Sequence, residues 1–295
     1  MVGMRDVAKK AGVSLSTVSL VVNGNGYVSN DMRDRVRKAM QALNYVPNEL
    51  ARNLYHDRTN LVGVIVPTIR HPFFATFTAH LQHALAAQGL RTMLCSTTDE
   101  TDGEIQYVDM LRRHMMDGIV MCAHTSHPGD YWTSIHRPIV AFDRVLGNGI
   151  SSIGSDHEQG GRLIAQMLIR NGARHVVMIG GPRDQFFDLA VRGEVEEGSF
   201  DLGKTTFPTV RYYLTLEQEL TSAGVKYEYI EAGEVMDFAG YHRAVSRALD
   251  GVAADGVDAV VSSDIGAAFC VREALSRGIS IPDELQVVAD VRAVE

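Results

Sequence analysis

Through residues 1–47 apolar side chains return every three or four positions, whereas from residue 61 they gather into short runs separated by longer periodic stretches. The spacing of Val7, Ala8 and Ala11 predicts a short helix that Gly12 interrupts. Ser14 is a good N-cap for a second helix, with Val18, Val21 and Val22 on its inner face. Ser29 or Asn30 would cap a third, with Met32, Val36, Ala39, Met40 and Leu43 as its buried stripe and Pro47 as its end. Two short helices joined by a tight turn at Gly12-Val13 make a helix-turn-helix, whose second helix enters the major groove of DNA. Periodicity alone fits any three-helix bundle equally well.

Beyond residue 61 the texture is strand and helix in alternation. LVGVIV (61–66), DGIVMC (117–122), PIVAF (138–142), HVVMIG (175–180), DAVVSS (258–263) and LQVVA (285–289) are short, often β-branched, and bounded by Gly, Pro or Asp. Between them lie helical patterns such as FFATFTAHLQHALAAQG and HEQGGRLIAQMLIRNG. Repeated β-α units predict an α/β fold with parallel sheets covered by helices on both faces. Ligands of such folds gather at the carboxyl ends of the strands.

Composition changes this picture little. With 295 residues, 45% of them hydrophobic and 22% charged, the chain is that of an ordinary globular protein with room for more than one domain. No apolar run approaches the roughly 18 residues of a membrane span, and MVGMRDVAKKAGVS lacks the apolar core of a secretory signal. Cys95, Cys122 and Cys270, odd in number and widely spaced, fit a reducing compartment, so a cytoplasmic protein is expected. Charge is more informative. Residues 1–60 carry nine Lys/Arg against five acids, whereas the remainder carries 19 against 31, within a net charge of −8. A small basic head on an acidic body points to a polyanion partner for the head alone.

The stretch MRDVAKKAGVSLSTVSLVVNGNGYVSNDMRDRVRKAMQALNYVPNELARNL resembles the DNA-binding head of LacI-type bacterial transcription regulators nearly position for position. The resemblance implies that Leu15, Ser16 and Leu20 face base edges, and that the hydroxyls of Thr17 and Ser19 meet phosphate oxygens. Many relatives hold Arg where this chain has Leu20; leucine offers only apolar contact, so the operator preference differs from that of the common pattern. In the family, the segment matching PNELARNL is a hinge that folds on operator DNA and pairs with its dimer mate. It would bring Asn48, Ala51 and Arg52 to the minor groove and drive Leu54 between bases. A hinge that orders only when bound lets a distant ligand control DNA affinity.

VGVIVPTIRHPFF, AFDR, GSDHEQGGRLIAQMLIRNGARHVVMIGGP and VVSSDIGAAFCVREALSRGISIPDELQVVA look like the effector-binding core of the same family, which is similar to periplasmic sugar-binding proteins. The implied organisation is a helix-turn-helix domain at 1–46, a hinge and linker at 47–60, and a core at 61–295 built of two Rossmann-like subdomains, about 61–156 and 160–290. A small sugar-like effector would bind between these subdomains. Carried over position by position, the effector residues are Phe73 and Phe74, an aromatic plate for a sugar ring, with Asp143 and Arg144 clamping hydroxyls, and Asp156 and Asp264 at strand ends. Arg211 joins them after a one-residue slip in the alignment. The implied partners are a near-palindromic double-stranded operator, the effector and a second copy of the chain, without a membrane and without a cofactor. The implied activity is that of a repressor, not of an enzyme. Two departures stand out: an unusually long stretch at 183–213, and an end at Glu295 a few dozen residues before such a core closes, leaving the first subdomain incomplete.

Other patterns weigh less. GSFDLGKT (198–205) fits G-x-x-x-x-G-K-[ST] with Gly198, Gly203, Lys204 and Thr205, which would make a P-loop nucleotide hydrolase. Yet VRGEVEE before it is charged rather than a buried strand, Pro208 follows closely, and Asp201 and Glu194, Glu196 and Glu197 would repel a triphosphate, so a surface loop is the expected reading. A sugar-binding module without DNA function is the other alternative. Cys122, His124 and His127 lack a second half-site for a metal, and Gly24-Asn25-Gly26 reads as turn chemistry. His71, before Pro72, reads as cleft lining.

Overall fold

Gly12 sets the geometry of the head. It closes α1 (Met4–Ala11) in the left-handed region at φ 64°, where a glycine carries no Cβ penalty, and releases the chain into Ser14, whose hydroxyl accepts from Thr17 N to open α2 (Leu15–Asn23). Arg35 of α3 (Asn30–Ala42) locks this turn from the side: its Nε and Nη2 donate to Ala11 O at 3.1 and 2.7 Å, and Nη2 donates to Gly12 O at 2.9 Å. Val7, Ala8, Ala11, Val18, Val36 and Ala39 form the buried centre, with Val21, Val22, Met40 and Leu43 against it. Two expectations fail here. Met32 is exposed, because it lies in the first turn of α3, ahead of the rows that meet α1 and α2. The helix ends at Ala42, five residues short of Pro47, with Asn44 in the left-handed region at φ 48°.

The computed structural model describes residues 2–47, 58–97, 103–123, 127, 130–183, 209–233 and 237–290. The head, within Met1–Thr59, and the body, Asn60–Glu295, are separate compact units. Asn48, Ala51, Arg52 and Leu54 lie outside the described residues, as do His124 and the GSFDLGKT pattern.

In the body two wholly parallel sheets are built from the described strands. The first has the order β2-β1-β3-β4-β5, with β1 (Leu61–Val66), β2 (Arg91–Ser96), β3 (Gly118–Met121), β4 (Ile139–Phe142) and β5 (Ser151–Ile153). Successive side chains of a strand face opposite ways, and β1 shows it. Val64 and Val66 pack toward Phe74, Phe77, Leu81 and Leu85 of α4 (Pro72–Ala87), whereas Ile65 packs toward Val108 and Leu111 of α5 (Ile105–Arg112).

The second sheet has the order β7-β6-β8-β9, from β6 (His175–Gly180), β7 (Lys226–Glu231), β8 (Ala259–Ser263) and β9 (Gln286–Asp290). Val176 and Met178 of β6 face α6 (His157–Arg170) and α7 (Thr209–Ser222). Val177 and Ile179 face α8 (Phe238–Ala254) and α9 (Asp264–Ser276). Burial of side chains this size stabilises by about 1.5–3 kcal/mol each, so these faces set the strand register. The α/β class with helix-covered parallel sheets is as expected. The long stretch is shorter than it reads: its last residues, Thr209 to Tyr213, already belong to α7. Among the described residues no helix is long and apolar enough to cross a membrane.

Candidate nucleic-acid interface and ligand cleft

On α2, burial of Val18 and partial burial of Val21 and Val22 turn Leu15, Ser16 and Leu20 outward. Leu15 and Leu20 are 44% and 38% exposed. The hydroxyl of Ser14 lies 2.7 Å from Ser16 Oγ and 2.8 Å from Thr17 Oγ1, and Asn23 Nδ2 donates to Ser19 Oγ at 3.1 Å. The helix therefore shows a surface of hydroxyls between two leucine tips. Arg35 was not singled out by sequence, because its role depends on carbonyls 23 and 24 residues away.

In the body the strand ends of the two sheets meet through side chains. His71 precedes α4 and caps it: its Nδ1 accepts from Phe73 N at 3.2 Å, with Pro72 in the first turn. An accepting Nδ1 places the imidazole proton on Nε2, and Nε2 lies 3.7 Å from Asp264 Oδ1 at the end of β8. That distance exceeds a hydrogen bond, so the pair is an electrostatic contact between the two sheets. Asp264 also accepts from Ile265 N at 2.8 Å.

Phe73 and Phe74 do not form a flat plate. Their rings are 5.1 Å apart at 77°, and Phe73 extends an aromatic group through Phe77 and Phe142, the latter two 4.3 Å apart. Phe74 points into the core below.

Asp143 and Arg144, directly after β4, are both buried. Asp143 stands in the left-handed region at φ 48°, which aspartate tolerates better than most residues. Its Oδ1 accepts from Ser155 N at 3.2 Å and lies 2.9 Å from His157 Nε2. A carboxylate only accepts, so Nε2 is the donor. His157 opens α6, hence this bond ties the first sheet to the first helix of the second subdomain across the crossover at 154–156. Gly154 makes room for it, since a side chain there would strike Asp143 Oδ1. Arg144 donates from Nη1 to Asp143 O at 2.6 Å and from Nε to Ala123 O at 3.2 Å, while its own carbonyl accepts from Ser152 Oγ. His157 was missed in the sequence; only its place opposite Asp143 reveals its part.

Asp156 is exposed and accepts from Gln159 N as the N-cap of α6. Arg211 lies in the first turn of α7, its Nε buried without a hydrogen-bond partner among the described residues. Thus His71 and Asp264 come together, Asp143 joins His157, and Asp156 and Arg211 stand on the opening turns of two helices. Burial pushes the Cys122 thiol, close to Arg144, up to about 12. No cluster of three or more His, Cys, Asp or Glu able to hold a metal occurs among the described residues, and His127 instead pairs with Glu104 at 2.6 Å.

Comparison with known proteins decides the family. Residues 3–48 match "Bacterial regulatory proteins, lacI family", and residues 59–202 match "Periplasmic binding proteins and sugar binding domain of LacI family". The ribose operon repressor of Bacillus subtilis (strain 168) is 31% identical over 298 residues, covering 98% of this chain and 81% of the relative.

The chain belongs to the lacI family.

This LacI-family chain is also 39% identical over 178 residues to the sucrose operon repressor of Streptococcus mutans serotype c, over 60% of its own length. That match spans just over half of the relative, 55%. Among solved structures, the lac repressor dimer bound to operator and the anti-inducer ONPF superposes with a TM-score of 0.76 at 20% identity, covering 99% of this chain and 83% of that one. The CelR–cellobiose complex gives 0.59 at 24%, covering 98% and 82%. At these identities the structures speak for the fold.

Proposed function

We propose that the chain is a sugar-responsive, operator-binding transcriptional repressor of the cytoplasm, acting as a homodimer and not as an enzyme. Residues 1–46 are the DNA-binding domain, 47–60 the hinge and linker, and 61–295 the effector-binding core. What carries the reading is the match along 98% of the chain to a ribose operon repressor, combined with a basic helix-turn-helix that turns α2 outward. Leu15, Ser16 and Leu20 meet base edges, Thr17 and Ser19 meet phosphates, and Asn48, Ala51, Arg52 and Leu54 act in the minor groove. Effector binds where the strand ends of the two sheets meet, against Phe73 and Asp264, with Phe74 supporting Phe73 and Asp143 and Arg144 holding the crossover beneath. Asp156 and Arg211, at the mouths of α6 and α7, complete the rim. The relatives are repressors rather than nucleotide hydrolases, so Gly198–Thr205 has no ATPase role in this reading.

The test is a fluorescence-anisotropy titration of the chain, at fixed salt, onto DNA from upstream of its own gene and onto a scrambled duplex. Specific binding is expected to be about a thousandfold or more tighter than non-specific binding. Equal, weak and salt-sensitive affinity for both duplexes would count against a working regulator.

A further inference from the structure

The DNA-binding reading of α2 leaves open what the helix reads, and its chemistry answers. LSTVSLVVN contains no Lys, Arg, Asp, Glu or Gln. The side chains that bind a base edge in two places, Arg or Lys on guanine and Asn or Gln on adenine, are therefore absent save for Asn23. Asn23 sits at the far end of the helix and turns its Nδ2 back onto Ser19 Oγ. The hydroxyls of Ser16 and Thr17 gather around the capping Ser14. Apart from these hydroxyls, what the helix turns outward is aliphatic. Leu15 opens the helix and Leu20 lies five residues on, both substantially exposed, whereas the helix's other aliphatic side chains turn to the core. Leu20 lies beside the turn that follows, where a methyl at Gly26 would come within 3.2 Å of its Cδ2.

In the major groove one base carries an aliphatic group of its own, the 5-methyl of thymine. We propose that the head reads thymine methyl groups through Leu15 and Leu20, so that each operator half-site places A·T pairs beneath these two leucines. Specificity of this kind rests on burying methyl against methyl, while affinity comes from phosphate contacts by the basic head. It rests on the DNA-binding reading given above.

The experiment enriches binding sequences for the full chain from a library of random-sequence duplexes, then rebuilds the enriched duplex with uracil in place of thymine, one position at a time. Uracil keeps every hydrogen-bonding group and loses only the methyl, so no protein variant has to fold for this arm. Removing a methyl that touches Leu15 or Leu20 is expected to weaken binding about three- to fivefold, the worth of one buried methyl or methylene. In the Leu20→Ala chain, thymine and uracil at its position are expected to bind alike. Leu20→Arg is expected to exchange that A·T pair for G·C in a repeated enrichment, by about tenfold.

An enriched duplex indifferent to uracil at every thymine, or one with G·C at all strongly selected half-site positions, overturns the methyl reading and leaves DNA binding intact. Failure of the library to enrich at all overturns the DNA-binding reading, and this inference with it.

Discussion

Asp143 shows how much one side chain can hold. Its carboxylate is buried, in a left-handed backbone conformation, and serves both Ser155 N and His157 Nε2. Truncation to alanine would leave the buried His157 imidazole donor unsatisfied, at about 1–3 kcal/mol, and would free the part-buried Ser155 N–H at a smaller cost. Asp143→Ala is therefore expected to lower stability by about 2–4 kcal/mol in urea unfolding, and Asp143→Asn, which keeps an acceptor, by about half as much. Equal midpoints for all three chains would show that the crossover is held elsewhere. The cysteines give a second test at this scale. Burial raises the thiols of Cys95, Cys122 and Cys270 from 9.0 to about 12. The nucleophile is the thiolate, so the folded chain is expected to leave all three unreacted with a disulfide reagent at pH 8 and to expose them in urea. The sign for stability follows: a thiol kept protonated by folding contributes fully below pH 9, and its contribution is lost as pH climbs from there towards 12. Urea midpoints that hold level from pH 8 to 10.5 would contradict this.

Between elements, α6 and α7 cross at close range. A methyl at Gly161 would fall 2.5 Å from Tyr212 O and 3.2 Å from Leu216 N, backbone atoms that cannot swing aside. At Gly160 the nearest atom is Tyr212 Cδ2, at an ordinary 3.5 Å. Gly161→Ala is thus expected to force the helices apart and cost about 1–3 kcal/mol, the usual penalty for overpacking, whereas Gly160→Ala gains up to about 1 kcal/mol of helix propensity. Thermal unfolding of the two variants decides it, and a Gly161→Ala chain as stable as wild type would refute the tight crossing. The same contrast between centre and edge governs what the sequence makes legible. β1, β3, β4, β6 and β8 lie inside their sheets, covered on both faces, and appear as unbroken apolar runs. Of the edge strands, β2, β5 and β7 escape the pattern: RTMLCS and KYEYIE mix charge with apolar residues, and the side chains of Ser151–Ile153 are all exposed, so periodicity does not mark them, whereas β9, also at an edge, still shows as the apolar run LQVVA. In the head, Gly12 and Ser14 announce the turn in sequence, but Arg35 acts through backbone carbonyls of a distant segment. For the cleft, residue types at strand ends could be read directly; the pairings of His71 with Asp264 and of Asp143 with His157 could not, since each joins parts of the chain that only the fold brings together.

For the molecule as a whole, regulation means that operator and effector compete or cooperate for one chain, and the two affinities cannot then be independent. If saturating sugar changes operator affinity by some factor, operator must change sugar affinity by that same factor, typically about 5–150-fold. The expectation is that calorimetric sugar titrations, with and without the enriched operator duplex, give a ratio of dissociation constants equal to the one anisotropy gives for operator with and without sugar. A ratio of one in both experiments would mean that the body does not regulate the head. Asp264 and Asp156 separate ligand binding from structure within that scheme. Asp264 faces His71 across the two sheets, whereas Asp156 caps α6 through Gln159 N, a role that asparagine also fills. Asp264→Asn is therefore expected to weaken sugar binding at least about tenfold while leaving operator affinity without sugar unchanged. Asp156→Asn keeps the cap and removes only a charge at the rim, so it is expected to weaken sugar binding by only about twofold and to leave operator affinity without sugar unchanged. Should Asp156→Asn instead lose the sugar while Asp264→Asn keeps it, the ligand lies against the opening of α6 rather than between the ends of β1 and β8, and the route from effector to head begins at the crossover that Asp143 and His157 hold.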